Sequence, residues 1–377
     1  MSSTISRRSL LRAAAFAPAL SLAAPWARGA GISKPLRPVQ VSRDRVIRTV
    51  AGLRPFRPSG FVVRAEAAGD KVLVHNYGHG GAGITLSWGT AHLAALEAVR
   101  TEHRDAAVVG GGVAGLSTAR ILLERGFRVT LYAREFATET TSGVAGGQWF
   151  PFTFYDPECL TAQFQEQFSI AAHYSYNRYQ RMIGAYYGVR WLTNYQMGDK
   201  PLPTNGLMSR TGPMSGMMPE YVDLVRGSHP FPFRYARQFD SMFIEPPVYL
   251  EAMMRELRIA GAAIENREFH DAREILELPH NLIVNCTGLG AKTLFQDDEL
   301  TPIKGQLTIL LPQAEVEYAT LAPELYMFPR QDGIVLGGTH ERGVWDQNPD
   351  PSEEDRIIEG HRGIYARWGQ RPANQKP

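Results

Sequence analysis

The chain has 377 residues, of which 44% are hydrophobic, and its 40 Lys and Arg nearly balance 38 Asp and Glu, which gives a net charge of +2. This length accommodates two domains with a sizeable core, and the small net charge argues against nucleic-acid binding. The two cysteines, Cys159 and Cys286, are far apart in sequence and match neither a disulfide framework nor a metal site, so we expect no metal.

The N-terminus has the features of a targeting segment. Arg7 and Arg8 precede an alanine-rich run over residues 13–24, which is the order found in twin-arginine signals. We therefore expect residues 1–30 to be a twin-arginine signal peptide that exports the folded protein to the periplasm. A disordered basic tail is the alternative. Once the signal is removed, no apolar run is long enough to span a membrane.

Residues 46–61 are predicted to be extended, because their prolines disfavour a helix. Arg54 and Arg57 stand three residues apart on this stiff stretch. A guanidinium held in a fixed position can bind a carboxylate through two hydrogen bonds. The segment thus offers a candidate carboxylate-binding arginine, with a pair of surface arginines as the alternative.

A hairpin with strands at 62–66 and 71–75 is predicted next, followed by a glycine-rich turn and an alanine-rich helix that ends near Val99. The free N–H groups at such a helix start favour an anion. His75 and His79 are four residues apart, a spacing that brings two ligands to one metal only within a helix. Because they lie in a glycine-rich loop, the sequence does not favour a metal there.

Residues 105–135 predict a complete strand–turn–helix–strand unit. The apolar run 106–109 ends in glycines and is typical of a buried parallel strand. Gly110, Gly112 and Gly115 form the pattern G-x-G-x-x-G. The first glycine allows the tight turn, the second allows a pyrophosphate to approach the backbone, and the third allows the helix to pack closely on the strand.

The rest of this unit supports a dinucleotide site. A helix is predicted over 113–125 and is ended by Gly126, and a second strand follows over 129–132. Glu135 comes about 20 residues after the last glycine, where an acidic side chain can bind a ribose hydroxyl. A glycine-rich turn in an ordinary α/β protein is the alternative.

The remaining chain is predicted to alternate helices and strands. Two turns, 140–152 and 287–290, are rich in small residues, and residues 198–240 are expected to be mostly loop. The second turn follows a strand, at the sheet edge where ligands of α/β folds bind. Helices are expected over 158–183, over 247–260 and near the C-terminus, and strands over 187–197, 262–266, 282–286, 304–311, 326–329 and 333–338.

Four stretches together resemble the D-amino acid oxidase family of FAD-dependent enzymes. They are VVGGGVAGLSTA, TTSGVAGGQWFPF, VNCTGLGAKTL with KGQL, and GLRPFRP with HNYGHGGAGITLSWG. The resemblance covers most of residues 41–365 and is thin between about 185 and 245. It implies an α/β protein with a Rossmann-type FAD-binding domain and a second, α+β substrate-binding domain built on an antiparallel sheet. The expected bounds are 58–150 and 246–304 for the first domain, and 38–57, 151–245 and 305–365 for the second.

The order of these stretches differs from the family pattern. In the family the stretch that corresponds to GLRPFRP and HNYGHGGAGITLSWG lies at the C-terminal end of the chain. Here it lies within residues 41–100, before the nucleotide unit. This order indicates a circular permutation, which is feasible because domain termini often lie near each other at the surface. We therefore expect residues 360–377 to lie near 40–46, and the helix ending near Val99 to lead directly into the strand at Ala106.

The resemblance assigns substrate contacts to three residues. Arg54 matches the arginine that binds the substrate carboxylate, Tyr326 matches a tyrosine whose hydroxyl contacts that carboxylate, and Gly81 matches the glycine whose carbonyl receives the amine. The family usually has another tyrosine four residues before Tyr326, where this chain has Ala322. Tyr318 is a weaker candidate to replace it, so the substrate range is left open.

The resemblance also assigns cofactor contacts to the glycine-rich stretches. These residues are Gly80, Gly83, Ile84, Thr85, Gly110, Gly112, Val113, Ala114, Gly115, Glu135, Thr140, Thr141, Gly146, Gly147, Gln148, Thr287 and Gly288. The helix start at Gly83 is suited to stabilise the negative charge of a reduced flavin.

The implied reaction converts a D-amino acid to the 2-oxo acid, ammonia and hydrogen peroxide. The Cα hydrogen leaves as a hydride to flavin N5, and O2 is the expected electron acceptor. One alternative is an oxidase of glycine-type amines or a dehydrogenase with another acceptor. Another is a flavin-binding protein that has lost its substrate site. The alanine at position 322, in place of the family's tyrosine, is the reason to retain this alternative. The expected partners are small molecules, and a homodimer is compatible with the resemblance but not required by it.

Overall fold

The structure is a computed structural model that describes residues 35–204 and 212–370. The predicted signal peptide, residues 1–30, lies outside these ranges. The strands are β1 (Val46–Phe56), β2 (Val62–Ala68), β3 (Lys71–Tyr77), β4 (Asp105–Gly111), β5 (Arg128–Phe136), β6 (Val189–Gly198), β7 (Val222–Leu224), β8 (Tyr235–Ile244), β9 (Ala263–Asn266), β10 (Leu282–Asn285), β11 (Thr301–Leu310), β12 (Tyr318–Ala322), β13 (Leu325–Arg330), β14 (Gly333–Gly337) and β15 (Glu341–Arg342). The helices are α1 (Gly83–Val99), α2 (Val113–Glu124), α3 (Ala162–Gln180), α4 (Pro246–Ile259), α5 (Ala272–Leu276), α6 (Ala291–Leu294) and α7 (Pro351–Ala366).

A six-stranded sheet carries the predicted nucleotide unit. Its order is β2-β3-β10-β4-β5-β9, and every neighbouring pair is parallel except the β2–β3 hairpin. Helix α2 connects β4 to β5, and Val108, Leu116 and Leu131 are fully buried between them. The carboxyl ends of β4, β5 and β10 therefore meet at one edge, where the glycine turns follow.

A nine-stranded sheet forms the second layer, as expected for the antiparallel substrate-binding part. Its order is β1-β11-β14-β13-β12-β6-β8-β7, with β15 added to β11. Only β12 and β6 pair in parallel, and β1 pairs antiparallel with β11 along nearly its whole length. Arg54 on β1 and Tyr326 on β13 thus belong to one sheet. The exact domain bounds stay a prediction.

The two ends of the described chain meet in space. The Trp368 indole N–H donates to the carbonyl of Leu36 at 3.3 Å, and Arg43 pairs with Asp355 at 2.5 Å. Helix α1 ends shortly before β4 begins, and residues 41–100 contribute strands to both sheets. The described part of the C-terminal segment therefore lies beside the start of the described chain. Residues 371–377 lie outside the described ranges, and the permutation itself stays a proposal.

Several segments differ from the sequence predictions, and two of them have a clear physical reason. Helix α3 is shorter than 158–183, because the Thr161 hydroxyl caps it by accepting from the Phe164 N–H at 3.1 Å. Residues 235–240, expected to be loop, begin β8, which pairs with β6 over ten residues. The strand was missed because buried polar groups interrupt its apolar pattern. Ser241, for example, is buried and donates to the Trp149 carbonyl at 2.6 Å.

Candidate functional site

One cavity of about 1430 Å³ is lined by residues of both sheets. Its lining includes Gly110 and Glu135 of the six-stranded sheet and Arg54 and Tyr326 of the nine-stranded sheet. Pockets for single small ligands usually have about 300–1000 Å³. The larger volume here is suitable for a dinucleotide together with a small substrate.

All the predicted site residues line this cavity except Gly115 and Thr85. A Cβ on Gly115 would lie 1.8 Å from the Gly110 carbonyl oxygen, so this glycine lets α2 pack closely on β4. Thr85 is buried, and its hydroxyl accepts a hydrogen bond from the Phe150 N–H at 3.2 Å. Both residues shape the site from behind, as expected for the packing role of Gly115, and their contact with the cofactor stays a prediction.

The glycine turn after β4 leaves room for a ligand against backbone. Gly110 has φ +126°, and a Cβ there would lie 2.2 Å from the Cys286 carbonyl oxygen, so no larger residue fits. Gly112 is the N-cap of α2 and supplies no side-chain cap. Ser142 accepts from the Val113 N–H at 3.0 Å. Gly112, Val113 and Ala114 line the cavity, so the positive end of α2 faces it, which suits a diphosphate.

A second helix start lies beside the first. Helix α1 begins after Ala82 with no side-chain cap and no acidic residue in its first turn. A Cβ on Gly83 would lie 3.7 Å from the Val113 Cγ1 atom, so the two helix starts are neighbours. Two positive helix ends at one cavity fit an anionic dinucleotide such as FAD.

Glu135, at the end of β5, is half-exposed and lines the cavity. Its carboxylate lies 3.5 Å from Arg134 Nε, and Arg134 in turn binds Glu268 at 2.8 Å. Arg134 is therefore held by two carboxylates at this end of the cavity.

Arg54 lies against the backbone of β11 with its guanidinium above Gly305. A Cβ on Gly305 would come within 2.2 Å of the guanidinium Nη2 atom. Nη1 donates to the Thr339 carbonyl at 3.3 Å. No Asp or Glu in residues 35–204 and 212–370 forms an ion pair with Arg54. A partly buried guanidinium without a carboxylate partner is suited to receive one from a ligand.

Tyr326 and Gly81 lie next to Arg54. Burial raises the pKa of the Tyr326 hydroxyl and the Arg54 charge offsets this only in part, so the hydroxyl stays protonated and can donate. A Cβ on Gly81 would lie 3.6 Å from Arg54 Cδ, and the Gly81 N–H donates to the Thr153 carbonyl at 2.9 Å. The structure therefore brings together the three residues predicted to contact substrate.

Tyr318 does not replace the missing family tyrosine. Its hydroxyl donates to the Arg37 carbonyl, and its ring packs on Trp368 away from the cavity. Neighbouring strand residues point to opposite faces, and Tyr318 faces the apolar layer rather than the site. Ala322 does line the cavity, and its methyl group leaves more room there than a tyrosine would.

Three cavity residues were missed as site residues from the sequence. Gly305 leaves the space for the Arg54 guanidinium, Thr339 accepts from it, and His340 follows at the cavity wall. The β1–β11 register places Gly305 opposite Gly52, a neighbour in space that no local pattern reveals. For His340 we find no signal in the sequence.

The part of the chain that the structure describes contains no group of His, Cys, Asp or Glu that could hold a metal ion. None of its helices combines the length and apolar character needed to cross a membrane.

A parallel sheet of the type that binds nucleotides and an antiparallel sheet together line one glycine-rich cavity. This arrangement is typical of dinucleotide-dependent enzymes. The family model described as "FAD dependent oxidoreductase" (DAO) matches residues 12–96 and 105–367. The chain therefore belongs to this family, and it is an FAD-dependent oxidoreductase. This sets aside the alternative of a non-catalytic flavin-binding protein.

Curated relatives extend this assignment. The chain is 33% identical over 261 residues to a D-amino-acid oxidase of Rubrobacter xylanophilus, covering 67% of this chain and 74% of the relative. It is 31% identical over 270 residues to a D-amino-acid oxidase of Streptomyces coelicolor, covering 70% and 79%. Among solved structures, glycine oxidase from Bacillus cereus matches with a TM-score of 0.52 at 18% identity, covering 69% of this chain and 80% of that chain. This last likeness concerns the fold alone.

Proposed function

We propose that this enzyme deaminates a D-amino acid oxidatively to the 2-oxo acid, ammonia and hydrogen peroxide. The relatives named D-amino-acid oxidase support amino acid oxidation as the reaction. The observation that carries the proposal is Arg54, a guanidinium without a carboxylate partner in the described chain, beside Tyr326 in the cavity that the Gly110 turn also lines.

The side chains around Arg54 would orient the substrate. Arg54 binds the α-carboxylate together with the Tyr326 hydroxyl, and the neighbouring Gly81 carbonyl accepts from the amine. A bound FAD would accept the hydride, the electrons would pass to O2 to give hydrogen peroxide, and water would hydrolyse the released imino acid to the 2-oxo acid and ammonia. When the carboxylate and the amine are both held, the Cα hydrogen of only one enantiomer points toward the flavin. The site therefore selects that enantiomer and lowers the barrier by orienting the substrate.

The cofactor would be held by backbone more than by side chains. Gly110, Gly112 and the start of α2 receive the diphosphate, and Glu135 binds a ribose hydroxyl. The start of α1 at Gly83 stabilises negative charge on the reduced flavin.

A peroxide assay over a substrate panel tests the proposal. Purified protein is incubated with D-amino acids, their L-enantiomers, glycine and sarcosine, and both peroxide and 2-oxo acid are measured. We expect both products from D-amino acids and neither from L-amino acids. Peroxide from glycine-type amines alone, or bleached flavin without peroxide, would instead support the glycine-type oxidase or the dehydrogenase. Arg54→Ala should abolish the activity, and the exposed Arg64→Ala is the matched control.

We also propose that the chain is a circular permutant of its family. The contact between Trp368 and Leu36 supports this, since a short linker there could join the two ends. A reordered chain that starts near residue 103, joins 370 to 36 and stops at residue 100 should fold and bind FAD. A reordered chain that is soluble but cannot retain FAD counts against the proposal.

Export by the twin-arginine route is proposed from the sequence alone. Because this route carries folded proteins, FAD would be acquired before export. Fractionation of a bacterial host that expresses the full chain should find the mature protein in the periplasm, and the double change Arg7→Lys and Arg8→Lys should retain it in the cytoplasm. Equal export of both chains would contradict the proposal.

A further inference from the structure

A pair of side-chain amides lies in the wall of the cavity. The Gln148 Nε2 atom donates to the Asn194 Oδ1 atom at 2.7 Å, and the Asn194 Nδ2 atom donates to the Leu192 carbonyl at 2.8 Å. Asn194 is almost fully buried, while Gln148 is partly exposed and lines the cavity. The resemblance assigned Gln148 a cofactor contact, whereas Asn194 has no role in the function proposed so far.

The backbone fixes how both amides are oriented. The Leu192 carbonyl can only accept, so Asn194 must turn its NH2 group toward it and its oxygen toward Gln148. Gln148 must then turn its own NH2 group toward Asn194. The Gln148 Oε1 atom has no hydrogen-bond partner within residues 35–204 and 212–370, so a fixed acceptor, beside one further N–H, is available to a ligand.

The pair lies on the same wall as the carboxylate-binding residues. The Gly147 carbonyl accepts from the Ile244 N–H at 2.8 Å, which docks this segment onto β8 of the nine-stranded sheet. A Cβ on Gly146 would lie 3.8 Å from the Tyr326 ring. Asn194 on β6 is two strands from β13, or roughly 10 Å at the usual strand spacing. A substrate bound to Arg54 and Tyr326 by its carboxylate therefore reaches Gln148 through its side chain.

The nine-stranded sheet contributes mainly apolar side chains to this cavity, with Gln196 of β6 as a polar one. Leu307, Leu321 and Phe328 line the same cavity from the nine-stranded sheet. A single oriented polar group in an apolar pocket gives specificity, because a substrate that cannot pair with it leaves it desolvated and unpaired.

We propose that the Gln148–Asn194 pair recognises the substrate side chain and selects D-amino acids with a neutral side chain that donates a hydrogen bond, such as a hydroxyl or a carboxamide. The Gln148 Oε1 atom accepts from this donor, and Asn194 is a positioning residue that keeps the oxygen turned toward the ligand. The inference rests on the proposed function, and it adds the class of side chain to it.

The test compares substrates of equal shape. The ratio of kcat/KM is measured for D-threonine against D-valine and for D-asparagine against D-leucine. We expect the polar member to be preferred, and Gln148→Leu to lower each polar-to-apolar ratio by about tenfold, the effect of one ordinary hydrogen bond. Because each ratio is taken within one protein, a general loss of activity or of FAD cancels. The exposed Gln165→Leu is the matched control and should leave both ratios unchanged.

The outcomes separate this inference from the proposed function. Ratios that stay the same in Gln148→Leu, with D-amino acids still oxidised, overturn the amide recognition and leave the D-amino acid activity standing. A wild-type protein that oxidises no D-amino acid overturns both. Gln148→Met, which keeps the side-chain length, provides the same comparison if the leucine variant does not fold.

Discussion

A methyl group at Gly305 should displace the substrate-binding arginine without removing any charge. In Gly305→Ala the new Cβ would lie 2.2 Å from Nη2, 2.5 Å from Cζ and 2.7 Å from Nη1 of Arg54. Carbon contacts are favourable only near about 3.5–4.0 Å, so one group must move. The guanidinium is the end of a flexible side chain, whereas Gly305 is fixed by pairing with Gly52 on β1. The arginine should therefore leave its position while the fold persists.

The size of the effect follows from the lost carboxylate pair. Breaking a buried hydrogen-bonded charge pair costs about 2–5 kcal/mol. At 1.36 kcal/mol per factor of ten, kcat/KM should fall by about 30- to 5000-fold. We expect Gly305→Ala near the lower value, because a displaced guanidinium keeps part of its attraction, and Arg54→Ala near the upper value.

Two measurements check this reasoning. The dissociation constant of a carboxylate that lacks the amine is obtained from its effect on the flavin absorbance, and kcat/KM is measured with the best D-amino acid. Gly363→Ala in α7 is the control, since a Cβ there meets nothing within 4 Å. If Gly305 acts only through Arg54, Gly305→Ala should add nothing in an Arg54→Ala background. Unchanged carboxylate binding in Gly305→Ala would refute the assignment of Arg54.

Three further predictions follow from other parts of the structure. In Gly115→Ala the Cβ would lie 1.8 Å from the Gly110 oxygen, so α2 must shift; the purified variant should contain much less FAD than the wild type, and full FAD occupancy would contradict this packing role. Burial favours the neutral form of the Asp332 carboxyl, but the hydrogen bonds and charges of Arg330 and Arg48 outweigh this and lower its pKa. Its stabilisation is therefore present above the unfolded-state pKa near 4 and is lost as the pH falls through the lower folded value. Asp332→Asn should cost about 1–3 kcal/mol of unfolding free energy at pH 7, and chemical denaturation should find the difference from the wild type shrinking in acid. Partial burial and the nearby charges of Arg54 and Arg342 lower the pKa of His340, so this side chain is neutral at pH 7 and gains charge only in acid. Carboxylates that lack the amine should bind more tightly as His340 becomes charged, and His340→Asn should remove that pH dependence.

The nucleotide half of the fold was predictable because its signals are local. The turn at Gly110 and the helix end at Gly126 need positive φ, and the structure gives φ +126° and +82°. Glycine at these positions marks the ends of strand and helix directly in the sequence. The prolines around Arg54 likewise indicated an extended path, which the structure shows as β1.

The antiparallel half was less predictable because its partners are distant in sequence. Strand β8 depends on β6, whose residues come some 45 positions earlier, and the polar groups in β8 are satisfied only after folding. The same is true of the site. Gly305 and Thr339 reach Arg54 through pairings across the sheet, and the orientation of Gln148 depends on Asn194. No pattern within one segment contains this information.

Anaerobic mixing of the purified, FAD-loaded enzyme with D-alanine and, separately, with L-alanine tests the central claim most directly. If Arg54, Tyr326 and Gly81 orient an α-amino carboxylate against the flavin, the yellow absorbance should disappear with D-alanine and persist with L-alanine, and Arg54→Ala should stay yellow with both. Bleaching by the L-enantiomer at the same rate, or undiminished bleaching of Arg54→Ala by D-alanine, would contradict the account.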